Sequence, residues 1–127
     1  MRLFKFKHND GEDAIPRIVN SIVCFSHRDG AREIYLESQP QALAVYYTIN
    51  GEKKLWMDLP IYVLKPVIEH IKKLAAIGSS DSTGLICVRM EDKNNQFRLN
   101  YNLRVQVNAS PGGEELVLSF EDEYMLE

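Results

Sequence analysis

The spacing of the apolar residues changes from helical to alternating twice along this chain, and this pattern limits the folds that the chain can adopt. The first helical spacing, at i, i+3, i+4 and i+7, is made by Ile15, Ile18, Val19 and Ile22. From Ile34 onward apolar and polar residues alternate, which is typical of strands with one buried face. A second helical pattern runs from Leu64 to Ala75, an apolar run follows at Leu85–Met90, and alternation returns from Phe97 onward. The spacing therefore predicts two helices, each followed by three strands, in the order αβββαβββ.

Two local signals locate the ends of these elements. Asn50-Gly51 is the strongest hairpin signal in the sequence, because both residues of such a turn must accept a positive φ. Pro66 must lie in the first turn of the second helix, since a proline in a helix interior costs about 3 kcal/mol, so we start this helix near Lys65. Short turns between consecutive strands require antiparallel pairing. The predicted fold class is α+β, an antiparallel sheet of about six strands with two main helices packed against one side.

Among the last three predicted strands, the first and the last differ in how many of their faces are expected to be buried. Leu85–Met90 is apolar at nearly every position, which is typical of a strand covered on both faces. Leu116, Leu118 and Phe120 instead alternate with polar neighbours and predict one buried face.

Length and charge set limits on the class of protein. A chain of 127 residues favours one domain, residues 1–127, with a core of its own. No apolar run approaches the roughly 18 residues of a membrane span, and Met1–His8 lacks the apolar stretch of a secretory signal. We therefore expect a cytoplasmic protein without a membrane span. The net charge of −3 gives no electrostatic footprint for nucleic acid.

The chemically reactive residues do not form a recognisable catalytic or metal-binding pattern. Cys24 and His27 are three residues apart on the first helix, but Cys24 borders the apolar face, where a thiol is usually inert. His8, His27 and His70 lack the spacing of metal ligands, and no CxxC occurs. The loop Gly78–Gly84 runs from a helix into a strand, the reverse of a phosphate-binding loop. We expect no enzyme activity, no cofactor and no metal.

Aromatic and basic residues meet in the first hairpin. Alternation places Tyr46 and Trp56 on the same side of this hairpin, with Lys53 and Lys54 nearby. Stacking combined with positive charge is how single-stranded nucleic acid is held. We favour the interpretation that a helix covers this second face of the sheet, and we expect no nucleic-acid partner.

Six stretches of the sequence resemble, in order and spacing, the type II secretion and type IV pilus assembly ATPases. RIVNSIV at residues 17–23 and GAREIYLES at residues 30–38 resemble the family stretch "LVNSIL…GASDIHIEP", and VYYTING at residues 45–51 resembles "VRYRIDG". Later stretches resemble "LP…ALVSRIKVMA" at residues 59–75, "DLRVS" at residues 102–105 and "GEKVVMR" at residues 113–118. The resemblance covers about residues 15–121 and implies the PAS-like domain that precedes the RecA-like motor.

The departures from this family concern the groups that contact nucleotide. The 127 residues contain neither Walker A nor Walker B motif. The resemblance implies phosphate-contacting arginines at the positions of Tyr46, Thr48 and Leu85, and none of these residues carries a fixed positive charge. Among the basic positions that align, Arg104 is retained.

We therefore interpret the chain as a non-enzymatic, PAS-like module that works by protein–protein contact with a component of a pilus or secretion assembly. The candidate contact residues, which occupy or neighbour the family's working surface, are Tyr46, Thr48, Trp56 and Arg104. The alternative is a PAS-like sensor in which an aromatic-lined pocket holds a small molecule or nucleotide.

Overall fold

A computed structural model describes residues 14–78, 81–91 and 98–126 of the chain. It contains two α-helices, one short 3₁₀ helix and six strands. In chain order these are α1 (Ala14–Arg28), β1 (Glu33–Ser38), β2 (Ala42–Ile49), β3 (Glu52–Pro60), the 3₁₀ helix (Ile61–Val63), α2 (Leu64–Leu74), β4 (Thr83–Glu91), β5 (Arg98–Ser110) and β6 (Gly113–Leu126). The predicted order αβββαβββ is confirmed.

Both helices form where the apolar spacing places them. α1 buries Val19, Ile22 and Val23 and ends before Gly30, which adopts a φ of 82°. α2 follows the 3₁₀ helix directly, and Pro66 is its third residue, where the missing N–H breaks no intrahelical hydrogen bond. The first-turn placement of this proline is confirmed.

The β2–β3 hairpin closes through the predicted turn. Asn50 and Gly51 have φ values of 54° and 82°, both in the left-handed region that this two-residue turn requires. β3 extends beyond the turn as far as Pro60, which pairs with Ala42 on β2.

All six strands belong to one antiparallel sheet in the order β3-β2-β1-β6-β5-β4. The two halves of the chain join at its centre, where Ile34 pairs with Leu118 and Leu36 pairs with Leu116. Because β1 and β6 are adjacent, the first three strands and the last three form a continuous surface rather than two separate hairpin layers. The α+β fold class is confirmed.

One hydrophobic core lies between the helices and one face of this sheet, which we call the helix face. Its fully buried side chains come from both halves of the chain and from both helices: Val19, Ile34, Leu36, Leu43, Val45, Val67, Ile71, Leu103, Val105, Leu116 and Leu118. The opposite side, which we call the open face, carries the alternate residues of each strand, and neither helix packs on it.

Two predictions about coverage are wrong for the same reason. No helix in the described part of the chain covers the open face, and β4 is not covered on both sides, since Leu85 is 45% exposed and Cys87 is exposed. The two described helices, α1 and α2, contact each other over the helix face, so neither of them covers the other side. A continuous apolar run in β4 therefore coexists with one solvent-facing row of side chains.

Candidate interaction surface

The structure distributes the four predicted contact residues over both faces of the sheet. Tyr46 and Thr48 lie on the open face of β2, and Arg104 lies on the open face of β5. One row of paired residues, through Glu33 and Ser119, connects Thr48 to Arg104. Three strand spacings separate them, or roughly 14 Å. They share a face without touching each other.

Trp56 lies on the helix face, and its predicted placement beside Tyr46 is wrong. The β2–β3 register shifts between Val45, which pairs with Met57, and Tyr46, which pairs with Leu55. Trp56 is the extra residue of this β-bulge, and a bulge shifts the alternation of side chains between the two faces. Alternation read from the sequence fails at this point because it assumes a regular ladder.

Once on the helix face, Trp56 packs into a small aromatic cluster. Its ring stacks on Tyr47 with a centroid separation of 4.6 Å and an interplanar angle of 25°. The ring of Phe25 on α1 lies 6.3 Å away at a tilt of 58°. The Tyr47 hydroxyl donates a hydrogen bond of 3.4 Å to the Ile22 carbonyl, and this bond ties the cluster to α1.

A groove of about 420 Å³ opens beside this cluster, between α1 and β3. We call it the α1–β3 groove. Its lining is formed by Ala14, Arg17, Ile18, Ser21, Ile22, Phe25, Trp56, Met57 and Leu59. The lining is mostly apolar, and the guanidinium carbon of Arg28 lies 4.5 Å from the centroid of the Phe25 ring. The groove therefore combines apolar walls with positive charge at its border.

Further apolar side chains are exposed near this edge of the sheet. Phe25 on α1 is 38% exposed and Leu55 on β3 is 53% exposed. Ile61 and Tyr62, in the 3₁₀ helix that directly follows β3, are 46% and 78% exposed. A concentration of exposed apolar surface marks a place where a protein associates with something else.

The open face around Tyr46 is organised by Lys53. The Lys53 Nζ forms an ion pair of 2.7 Å with Glu37 and lies 4.1 Å from the ring centroid of Tyr35 and 5.0 Å from that of Tyr46. The hydrogen bond that Lys53 donates to Glu37 is the main reason that the pKa of Lys53 is raised. Tyr46 therefore takes part in a cation–π arrangement whose cation is already neutralised by a carboxylate.

Three carboxylates, Glu33, Glu37 and Glu115, also lie on this part of the open face. Glu33 accepts hydrogen bonds from Tyr35 at 3.0 Å and from Thr48 at 3.4 Å. Glu115 pairs with Glu37 across the β1–β6 ladder. Desolvation, followed by the hydrogen bond and the charge of Glu37, raises the pKa of Glu115. This surface is polar, internally bonded and acidic.

Arg104 is held by a carboxylate on the neighbouring strand β6. Its Nε lies 2.6 Å from an Oε of Glu121, and the two side chains are 53% and 33% exposed. A forked donor that could contact phosphate is thereby paired with a carboxylate on the neighbouring strand.

The described residues do not assemble a catalytic thiol. Cys24 is half-buried, contacts Asn20 Oδ1 at 3.8 Å, and has a pKa raised mainly by burial, which disfavours the thiolate. The His27 ring packs edge-on against Phe120 at 5.5 Å. Within the described ranges, no three His, Cys, Asp or Glu side chains are grouped to hold a metal ion. Neither described helix has the length and apolar character needed to cross a bilayer.

Sequence reasoning missed Phe25, Tyr35 and Glu115. Alternation alone places Tyr35 on the face of Glu33 and Glu37, so this signal was present in the sequence. The position of Glu115 beside Glu37 depends on the long-range pairing of β1 with β6, and no local pattern announces it. The exposure of Phe25 depends on the path of β3 beside α1.

Fold and surfaces together define an α+β module built on one six-stranded antiparallel sheet with both helices on the same face. Solved structures that resemble it include the ATPase DotB of Yersinia pseudotuberculosis, with a TM-score of 0.50 and 13% identity, over 94% of this chain and 32% of that one. The ATPase DotB of Legionella pneumophila gives a TM-score of 0.46 and 13% identity, over 84% of this chain and 29% of that one.

The match to Yersinia DotB shows a common fold. The chain spans about a third of the length of these solved structures. No protein-family model and no curated protein matches the sequence.

Proposed function

We propose that this chain is a non-enzymatic protein-interaction module of the PAS-like kind that precedes the motor in secretion and pilus assembly ATPases. It would act in the cytoplasm by contact with a protein of such an assembly. Two observations support the relationship: the fold shared with part of DotB, and the six ordered stretches that resemble the family. The residues at the family's phosphate-contacting positions are Tyr46, Thr48 and Leu85, which carry no fixed positive charge, and this supports a role of this domain without nucleotide binding.

The α1–β3 groove is the observation that carries this proposal. Its aromatic wall contains Trp56 and Phe25, and residues of this type dominate binding energy at protein interfaces. Phe25 in this wall is 38% exposed, so part of the wall is open to a partner. An apolar groove with an exposed aromatic side chain in its wall provides the apolar centre that a protein interface needs.

The positive charge beside the groove indicates what kind of partner would bind there. Arg17 lies in the lining, and Arg28 is an exposed residue whose guanidinium sits over Phe25. We expect the partner to insert apolar side chains between α1 and β3 and to place carboxylates near these arginines. An amphipathic helix with an acidic border has this chemistry.

Binding to purified ATPases of the secretion and pilus assemblies of the same organism tests this proposal directly. Each ATPase is the probe, and the immobilised chain is compared with Phe25→Glu and with Gln106→Glu. Both substitutions add one negative charge, but Gln106 is exposed on the open face of β5, away from the groove. We expect saturable binding that Phe25→Glu weakens at least tenfold, or about 1.4 kcal/mol, and that Gln106→Glu leaves unchanged.

Tyr46→Arg tests the open face in the same experiment. If this variant loses binding while Phe25→Glu retains it, the interaction surface is the one predicted around Tyr46 and Thr48 rather than the groove. Failure of every ATPase to bind the chain would overturn the proposed function. ATP hydrolysis by the chain alone that a point substitution abolishes would also overturn it.

The sensor alternative requires space for a ligand, and the interior of this fold is filled by side chains. Leu36, Val45 and Leu116 are fully buried between the sheet and the helices. A surface cleft of about 300 Å³ lies near the turn of the β2–β3 hairpin, beside Tyr47 and Trp56. A rise in Tm with one nucleotide, cyclic dinucleotide or haem, and with no other compound of the screen, would favour the sensor.

A further inference from the structure

The strand β4 ends the sheet, and within the described residues its outer edge faces no other strand. It pairs with β5 over all nine of its residues, from Thr83 opposite Gln106 to Glu91 opposite Arg98, without a register shift. A long, regular edge strand presents a row of backbone donors and acceptors that another strand can join.

The opposite edge of the sheet is protected against such pairing. β3 contains the bulge at Trp56, two consecutive lysines at Lys53 and Lys54, and Pro60 at its end. Bulges, lysines and prolines are the features by which proteins discourage edge-to-edge association. Thr83–Val88 in β4 has none of them. The β3 edge therefore carries features that discourage strand pairing, whereas Thr83–Val88 at the β4 edge lacks them.

In the middle of β4, from Leu85 to Val88, the side chains are apolar on both faces, although the described helices cover only one face. Ile86 and Val88 are 7% and 2% exposed on the helix face. On the open face Leu85 is 45% exposed and Cys87 is exposed. The core of a single chain explains Ile86 and Val88, but it does not explain the apolar pair on the open face.

We propose that β4 pairs with β4 of a second copy of this chain, antiparallel and about a two-fold axis at Cys87. Cys87 is the middle residue of the strand, so this register uses the whole of β4. It places Cys87 opposite Cys87 of the second copy and Ile86 opposite Val88 of the second copy. The two sheets then form one continuous sheet, with both core faces on the same side.

The chemistry along this register favours a second copy as the occupant. On the helix face, Ile86 and the opposing Val88 of the second copy are both apolar. On the open face, Leu85 and the diagonally adjacent Cys87 of the second copy are both apolar. The charged positions Arg89 and Glu91 fall opposite Leu85 and Thr83 of the second copy, so no like charges face each other.

The small area that this strand pairing buries limits the expected affinity of the dimer. Edge pairing of one strand buries less than the roughly 800 Å² per partner of a standard stable interface. We therefore expect a weak, rapidly exchanging dimer whose population rises with protein concentration.

Disulfide cross-linking tests the register. The chain has two cysteines, so Cys24→Ser leaves Cys87 as the only thiol. Directly opposed strand residues lie about 5 Å apart, within disulfide reach. The matched control, Cys24→Ser with Cys87→Ser and Leu85→Cys, moves the single thiol off the axis. Its two copies are then displaced by four residues, about 13 Å along the strands, which no disulfide spans.

We expect mild oxidation to yield at least five times more disulfide-linked dimer for the Cys87 protein than for the Leu85→Cys control. Light scattering of the reduced wild-type chain should show a mass that rises with concentration. Cys87→Lys places two ammonium groups face to face and should keep the chain monomeric, whereas Cys87→Thr should not. Circular dichroism confirms that each variant is folded.

Equal cross-linking of the two single-cysteine proteins would indicate random collision and would overturn the proposal. So would a wild-type mass that stays monomeric over the whole concentration series. Neither result bears on the α1–β3 groove, which lies at the other end of the sheet.

Discussion

Trp56 stacks on Tyr47 with ring centroids 4.6 Å apart, although the regular alternation of a strand would place the tryptophan on the other face of the sheet. The bulge opposite Val45 makes this contact possible. As a result, the hairpin contributes an aromatic wall to the α1–β3 groove instead of adding a second aromatic residue beside Tyr46.

Removal of the Trp56 ring should destabilise the fold. Trp56→Ala removes the stack on Tyr47 and the contact with Phe25, and we expect a loss of about 2 to 3 kcal/mol because the ring is half-buried rather than fully buried. Trp56→Phe keeps a ring over Tyr47 and should cost clearly less. Urea unfolding followed by circular dichroism measures both. Equal losses for the two variants would contradict a contribution from stacking.

Gly84 is required where β4 passes the end of α2. A Cβ atom at this position would overlap the Ala75 carbonyl oxygen and lie 2.7 Å from Ile77 Cγ1, so Gly84→Ala should cost about 1 to 3 kcal/mol. The matched control is Gly78→Ala, whose Cβ would meet only the Asp81 side chain at 3.4 Å. We expect that control to stay within about 0.5 kcal/mol of wild type in the same unfolding assay.

Glu115 should weaken the fold at neutral pH. Desolvation and Glu37 raise the pKa of Glu115 above 4.5 in the folded protein. The contribution of this carboxyl to stability is therefore most favourable below its pKa in the unfolded chain, and it is lost as the pH rises through the raised pKa of the folded state. Glu115→Gln should therefore increase the free energy of unfolding at about pH 7 by up to about 1 kcal/mol.

The gain from Glu115→Gln should disappear at about pH 4, where the wild-type carboxyl is itself protonated. Glu52→Gln is the control, because Glu52 is exposed and its contact with Lys54 is 3.5 Å long. A pH-independent gain, or the same gain in the control, would argue against the Glu37–Glu115 pair as the cause.

Alkaline pH should destabilise the protein through Tyr47. Burial, followed by the charge of Asp29, raises the pKa of this phenol well above its ordinary value of 10.0. The unfolded chain loses the proton first, so stability is intact below about pH 10 and falls as the pH rises beyond it.

Tyr47→Phe tests this pH dependence. The variant lacks the ionising group and should lose less stability between about pH 9 and 11 than the wild type. At neutral pH it loses the 3.4 Å hydrogen bond to the Ile22 carbonyl, which should cost about 0.5 to 1 kcal/mol. Parallel pH profiles of the two proteins would show that Tyr47 does not control the alkaline transition.

Local patterns were sufficient where neighbours in sequence are also neighbours in space. The helical spacing of Ile18, Val19 and Ile22 predicted the buried face of α1, and Asn50-Gly51 predicted the hairpin. The position of Pro66 predicted the start of α2 because the restriction acts within one turn of the helix.

The candidate surfaces were less accessible to sequence reasoning. Tyr46, Thr48 and Arg104 were selected from the family resemblance, and the structure places them on one face of the sheet. Trp56 was misplaced because one extra residue in β3 reverses the alternation beyond it. The apolar run of β4 was interpreted as a strand covered on both faces. The sequence shows which side chains are apolar, but it does not show which of them another element covers.

The amino-acid sequence by itself therefore determined the elements, their order and the antiparallel α+β class, because helix and strand periods, turns and prolines act over a few residues. The tertiary structure decided that β1 lies beside β6, that both helices occupy one face, and that the two sheet edges differ. These outcomes depend on contacts such as Ile34 with Leu118, which join residues far apart in the chain and leave no local signal.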